Sequence, residues 1–158
     1  MATYNVTGPG GTAGHPSKLS AGIRTPYLVD NTIDVSALNG YSGAAQNDVL
    51  RVLDIPAETL VMEAGIEVLT ALSGSVTLDL GITGGDVDRY VDGDTNATGF
   101  SAPTATARTI VASADTLDVL VLSAASSAGK IRVFAVLCDV SGVDEDDRNT
   151  ATQHDTAV

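Results

Sequence analysis

The side chains that most often carry out catalysis are few in this sequence and widely spaced. Its 158 residues include two histidines, His15 and His154, and one cysteine, Cys138. Both histidines lie near the chain ends, in glycine-rich or polar segments where no rigid scaffold would hold a general base. Cys138 belongs to the most apolar stretch of the chain, where a thiol is usually inert core filler. The sequence therefore predicts a protein that is not an enzyme and has neither a zinc site nor a cofactor.

The densest group of polar side chains is a run of carboxylates between Asp86 and Asp94. Asp86, Asp88, Asp92 and Asp94 fall within nine residues and offer the oxygen ligands that calcium prefers. Their spacing departs from the EF-hand loop, which needs glycine at its sixth position and glutamate at its twelfth. We interpret the run as a solvated acidic loop, with calcium binding as the open alternative.

A second set of carboxylates, Glu58, Glu63 and Glu67, lies at strand spacing. Paired carboxylates of this kind hydrolyse glycosides, but such enzymes need an aromatic-lined sugar cleft. Aromatic residues make up only 4% of the chain, which argues against that activity.

The charge of the chain limits its partners. Twenty acidic and eight basic residues give a net charge of −12, so nucleic-acid phosphates would repel it. No apolar run is long enough to cross a bilayer, and we expect one soluble domain without a membrane partner. The first 29 residues carry Lys18 and Arg24 but no acid, which separates them from the acidic remainder.

Most of the chain alternates polar and apolar residues with a period of two. Val76, Leu78, Leu80 and Ile82, for example, fall on one face of a predicted strand. Ser73 and Gly74 separate this strand, 75–82, from another at 67–72, which favours a tight hairpin. A short helical turn is possible within residues 34–47. Further strands are predicted at residues 32–35, 49–55, 59–63, 108–112, 116–122 and 130–140.

This pattern predicts an all-β fold, an antiparallel β-sandwich and, more specifically, a jelly roll. We divide the chain into an irregular N-terminal arm at residues 1–26, a sandwich domain at 27–142 and an acidic C-terminal tail at 143–158. The arm is rich in glycine and proline, and acidic and other polar residues dominate the tail.

Two of the predicted strands are apolar on both faces. Residues 119–122 and 134–138 break the alternation, so a second cover is needed over the face that an antiparallel sandwich normally leaves wet. We expect another subunit to supply it, with folding back of the N-terminal arm as the alternative. The residues predicted to contact a partner or another copy are Lys18, Arg24, Tyr27, Phe134, Val136 and Cys138.

Three segments resemble small structural proteins of tailed bacteriophages, including cyanophages. They are Ile-Pro-Ala-Glu-Thr-Leu-Val at 55–61, Ala-Gly-Ile-Glu-Val-Leu-Thr-Ala at 64–71 and Asp-Val-Asp-Arg-Tyr-Val-Asp-Gly at 86–93. The similarity spans roughly residues 49–140 and is greatest to capsid cement, or decoration, proteins. It implies a sandwich, usually trimeric, that clamps neighbouring subunits of the major capsid protein on the outer surface of the head.

The expected location is therefore the virion, on the outer capsid surface, where the acidic body would avoid packaged DNA. One alternative is a tail-fibre or receptor-binding module, for which Tyr27, Tyr41, Tyr90 and Phe100 are the available anchors. A connector or tail-completion protein, which would form larger rings, is the other.

Overall fold

Two β-sheets packed face to face form the part of the chain that the structure, a computed structural model, describes: residues 3–5, 25–95, 97–101 and 108–141. Sheet A has the strand order β1-β3-β9-β5-β6, and sheet B has the order β2-β10-β4-β7, with β8 also paired to β4. The strands are β1 Thr3–Asn5, β2 Tyr27–Asp34, β3 Val49–Ile55, β4 Thr59–Thr70, β5 Thr77–Ile82, β6 Val91–Thr95, β7 Gly99–Ser101, β8 Thr109–Val111, β9 Asp115–Leu122 and β10 Lys130–Asp139.

The predicted all-β sandwich is confirmed. The observed β3 has the predicted bounds, and β9 and β10 differ from prediction by one residue at one end. The predicted strands 59–63 and 67–72 are one continuous strand, β4, whose register shifts opposite Val136 and Leu137. The 3₁₀ segment Val35–Tyr41 supplies the expected helical turn and is kinked, with non-helical backbone at Leu38, Asn39 and Gly40.

The predicted hairpin between residues 67–72 and 75–82 is wrong. β4 lies in sheet B, whereas β5 lies in sheet A and pairs with β9 and β6. Ser73 donates its backbone N–H to Ala128 O at 3.0 Å, and Gly74 has a φ of +79°. The turn at Ser73 and Gly74 therefore carries the chain from one sheet to the other, a step that a tight-turn sequence also permits.

Successive strands mostly change sheets. Each of β3, β4 and β5 lies in the sheet opposite its predecessor, as does β10 after β9. The strands of a jelly roll also alternate between two sheets, and the jelly-roll assignment stays a prediction. No helix in the described residues is long and apolar enough to span a membrane.

The core fills the space between the sheets and is built almost entirely from aliphatic side chains. Along β10, Ile131, Val133, Ala135 and Leu137 are buried and alternate with residues on the outer face. Fully burying one such Val, Leu or Ile contributes about 1.5–3 kcal/mol. Asn31 ties the layers together by donating its side-chain N–H to Val52 O at 3.1 Å.

The beginning of the chain adds a strand to sheet A. Thr3–Asn5 runs parallel to β3, with Thr3 opposite Val49 and Asn5 opposite Arg51. This strand lies at the edge of sheet A and does not cover the outer face of sheet B. The proposed domain boundaries stay predictions.

Candidate contact surface

The outer face of sheet B carries a group of apolar side chains, here called the apolar patch. Leu28, Phe100 and Ile110 are 64%, 65% and 61% exposed, and they are three of the six large hydrophobic residues exposed in the described chain. Strand register places Leu28 opposite Val136, and Leu60 opposite both Cys138 and Ile110. The patch consists of Leu28, Leu60, Phe100, Ile110, Phe134, Val136 and Cys138.

Strand β10 divides this face into a charged half and an apolar half. At its start, Lys130 lies 3.3 Å from Asp34, and Arg132 lies 2.6 Å from Glu67. These partly exposed ion pairs contribute about 0–1 kcal/mol each. The alternate residues that follow are the half-buried Phe134 and Val136 and the buried Cys138, so this row of β10 changes from charged to apolar halfway along the strand.

The ring of Phe134 is held against the sheet by a glycine on the next strand. A Cβ atom at Gly65, its register partner, would lie 2.7 Å from the Phe134 Cζ atom. The absence of a side chain at Gly65 thus lets the ring approach strand β4. Phe100 packs edge-on against Phe134, with ring centroids 6.0 Å apart and an interplanar angle of 71°. The two aromatic residues form a fixed apolar shape on the surface.

Three of the six predicted contact residues lie in the patch: Phe134, Val136 and Cys138. Tyr27 instead packs against the core, where burial and the nearby Asp139 carboxylate raise the pKa of its phenol. Lys18 and Arg24 lie outside the described residues. The roles of all six residues as contacts stay predictions.

The sequence interpretation missed Leu28, Leu60 and Ile110 as members of this surface. Each lies in or near a predicted strand, but alternation alone does not tell which of its faces points to the core.

Tyr90 was a predicted surface anchor for receptor binding, and that prediction is wrong. Its side chain is fully buried, and burial raises the pKa of its phenol while hydrogen bonding to Thr109 opposes the rise. Tyr41, at 84% exposed, and Phe100 are surface residues.

The acidic segment between Asp86 and Asp94 is only partly a loop. Asp86 is exposed, whereas Tyr90 and Val91 are buried and Val91 begins strand β6. The loop's backbone rests directly on sheet A, because a Cβ at Gly81 would lie 2.1 Å from Asp86 O. Within the described part of the chain, no three His, Cys, Asp or Glu side chains are grouped to hold a metal ion.

Beside this loop, the outer face of sheet A contains a cavity of about 180 Å³, here called the sheet A cavity. Strands β3 and β9 contribute its base, and the chain from Gly81 to Val87 forms one wall. Asp118, which is 9% exposed, accepts hydrogen bonds from Thr116 Oγ1 at 2.6 Å and Thr83 Oγ1 at 2.5 Å. Burial raises the pKa of Asp118, while the two hydroxyls and the Arg51 charge oppose that rise.

No protein-family model matches the chain, and no curated protein matches it. Solved structures of similar fold do exist. A chain in the capsid of Ralstonia phage GP4 has a TM-score of 0.64 and 19% identity, covering 89% of this chain and 100% of its own length. A chain in the capsid asymmetric unit of cyanophage Pam1 has a TM-score of 0.59 and 17% identity, covering 78% and 94%.

A third chain comes from the acidic stable capsid structure of Helicobacter pylori bacteriophage KHP30. Its TM-score is 0.56 at 12% identity, covering 73% of this chain and 90% of that one. The structural neighbours are therefore chains from phage capsid structures. The resemblance to phage structural proteins is confirmed at the level of the fold.

Proposed function

We propose that this chain is a non-enzymatic virion structural protein that binds the outside of a phage capsid and stabilises the head as a trimeric cement protein. The observation that carries the proposal is the apolar patch, on which Leu28, Phe100 and Ile110 are exposed within the described residues, on a fold shared with chains of phage capsids. Apolar surfaces of this kind mark protein contacts.

The patch suits contact between copies of this chain. Each copy carries a net charge of −12, so two copies repel unless they meet where charges are few. The apolar half of the outer face of sheet B meets that condition, although Asp30 and Glu63 lie beside Phe134 and Val136. Burial of each exposed Leu, Ile or Phe would contribute up to about 1.5–3 kcal/mol. We assign the patch to the contact between neighbouring copies.

The acidic charge favours the outer surface of the capsid, because packaged DNA would repel it. The partner there is the major capsid protein. A ligand that binds only the assembled shell stabilises that shell by mass action, and three linked copies strengthen weak individual contacts.

Cryo-electron microscopy of the parent particle tests this proposal. We expect trimers on the outer shell, with the side chains of the apolar patch buried between copies. Density only in the tail, or no density for this chain in the particle, would contradict the proposal. Sedimentation velocity of the purified chain gives an independent test, since a persistent monomer contradicts the self-contact.

A further inference from the structure

The sheet A cavity lies on the opposite side of the sandwich from the apolar patch. Its volume of about 180 Å³ has room for about six water molecules at roughly 30 Å³ each. Register places Leu120 beside Val49, and Asp118 beside both Arg51 and Gly81. The cavity therefore has apolar groups on one row of the sheet and charged groups on the next.

The lining matches the two parts of a long basic side chain. Lysine and arginine have an apolar stem that packs on hydrophobic surface and a cationic head that needs oxygen acceptors. Val49, Leu120 and Val87 provide apolar contact, and Asp118 provides a carboxylate.

Asp118 has unused capacity for a cationic donor. A carboxylate accepts about four hydrogen bonds, and the two threonine hydroxyls account for two of them. Among residues 3–5, 25–95, 97–101 and 108–141, the ion pairs within 4.0 Å are Lys130–Asp34 and Arg132–Glu67, so none involves Asp118. The charge of Arg51, its register partner, reaches Asp118 without forming an ion pair within 4.0 Å. A partner's cation at hydrogen-bonding distance would stabilise the buried carboxylate further.

We propose that the sheet A cavity receives a lysine or arginine side chain from the capsid shell protein. This inference rests on the proposed function, because it names the surface with which the chain meets the shell. A second copy of this chain fits the cavity less well, since that contact would bring together two chains that each carry a net charge of −12. The shell protein is the partner that can supply a cation without uniting two acidic surfaces.

Substitution of Arg51 is expected to have the opposite effect on binding from substitution of Asp118. Arg51 lines the cavity and is the register partner of Asp118, so its positive charge competes with an incoming cation. Removal of the Asp118 charge must weaken binding of a basic side chain, and removal of the Arg51 charge must strengthen it. An anionic ligand would reverse both effects.

Binding to purified empty shells is measured for the wild type, Asp118→Asn, Arg51→Gln and Val87→Phe. We expect about a tenfold or greater loss for Asp118→Asn, a gain of severalfold for Arg51→Gln, and a loss for Val87→Phe because the larger ring occupies the cavity. Asp92→Asn is the matched control, since it removes one exposed acid from the same sheet outside the cavity. Circular dichroism verifies that each variant is folded.

A second measurement separates this inference from the proposed function. Nα-acetyl-lysine amide and Nα-acetyl-arginine amide are titrated into ¹⁵N-labelled protein, with uncharged Nα-acetyl-norleucine amide as the control. We expect saturable shifts at Gly84, Val87 and Leu120 with the cationic probes only, and loss of those shifts in Asp118→Asn.

Wild-type binding to shells with no effect of Asp118→Asn or Val87→Phe would overturn the inference and leave the proposed function standing. Failure of the wild type to bind shells would overturn the proposed function and the shell as partner. Equal shifts with all three probes would overturn the cationic specificity of the cavity, whatever the shells show.

Discussion

Substitution of Val136 by aspartate separates the stability of one copy from the contact between copies. Val136 is half-buried on the outer face of sheet B, and its register partners are Leu28 and Glu63. In a single copy, the change costs up to about 1 kcal/mol in strand preference. Repulsion from Glu63 directly opposite adds about 0.2–1 kcal/mol. For a domain of this size, each kcal/mol lowers the melting temperature by about 2–4 °C, so we expect a fall of at most roughly 8 °C.

The effect on self-association is expected to be larger. If copies meet at the apolar patch, the new carboxylate becomes buried without a cation, which costs several kcal/mol. A cost of about 3 kcal/mol corresponds to more than a hundredfold weaker association, because each 1.4 kcal/mol is about tenfold. Sedimentation velocity over a range of concentrations measures this loss, and thermal unfolding by circular dichroism measures the stability of the single copy.

Two controls make the result specific. Val136→Thr keeps the branched shape and introduces no charge, so its association should be reduced far less. Thr32→Asp places a new carboxylate on the same outer face, beside Arg132 in the charged half, and should leave association nearly unchanged. A Val136→Asp protein that associates as tightly as the wild type would refute the burial of the apolar patch between copies.

Three further perturbations test other parts of the structure. Deletion of residues 1–24 removes strand β1 but not β2. We expect the product to be folded by circular dichroism and to bind the particle more weakly. An unfolded product would mean that β1 is essential to the sandwich. Gly81→Ala places a methyl group 2.1 Å from Asp86 O and should lower the free energy of unfolding, measured with urea, by about 1–3 kcal/mol. Gly85→Ala is the control, because its nearest contact is at 3.6 Å and its stability should be close to that of the wild type. Because burial raises the pKa of Asp118 above 3.8, its contribution to stability is greatest below that pH and is lost as pH rises through the folded-state pKa. Urea unfolding measured from acid to neutral pH should therefore show a smaller loss of stability with rising pH for Asp118→Asn than for the wild type. The same dependence of stability on pH in both proteins would contradict the raised pKa.

Alternation along the sequence was sufficient to predict most strands, because a half-buried strand needs one apolar face. The bounds of β3 followed directly from its residues. Alternation does not report which strand lies beside which, and this is why 67–72 and 75–82 looked like a hairpin although they belong to different sheets.

The prediction for Tyr90 failed for a related reason. Its acidic neighbours indicated that the Tyr90 side chain is exposed. Strand β6 begins at the next residue, Val91, and the Tyr90 ring is buried in the core. The apolar character of Phe134, Val136 and Cys138 was visible in the sequence because each interrupts the alternation within one strand, and their role as contacts stays a prediction. The sheet A cavity was not predictable, because its lining comes from three strands, β3, β5 and β9, and the loop after β5, and β3 and β9 are distant from that loop in sequence.

The position of β10 also determines when this protein can fold during its synthesis. β10 pairs with β2 on one side and β4 on the other, so sheet B has no continuous framework until residue 139 has left the ribosome. The only pairing between consecutive strands in the described residues is β5 with β6. Such distant pairings form slowly, on a scale of about milliseconds to seconds, and leave unpaired edges exposed meanwhile. A nascent chain that stops short of β10 is therefore an aggregation hazard, because it lacks the strand that joins β2 to β4.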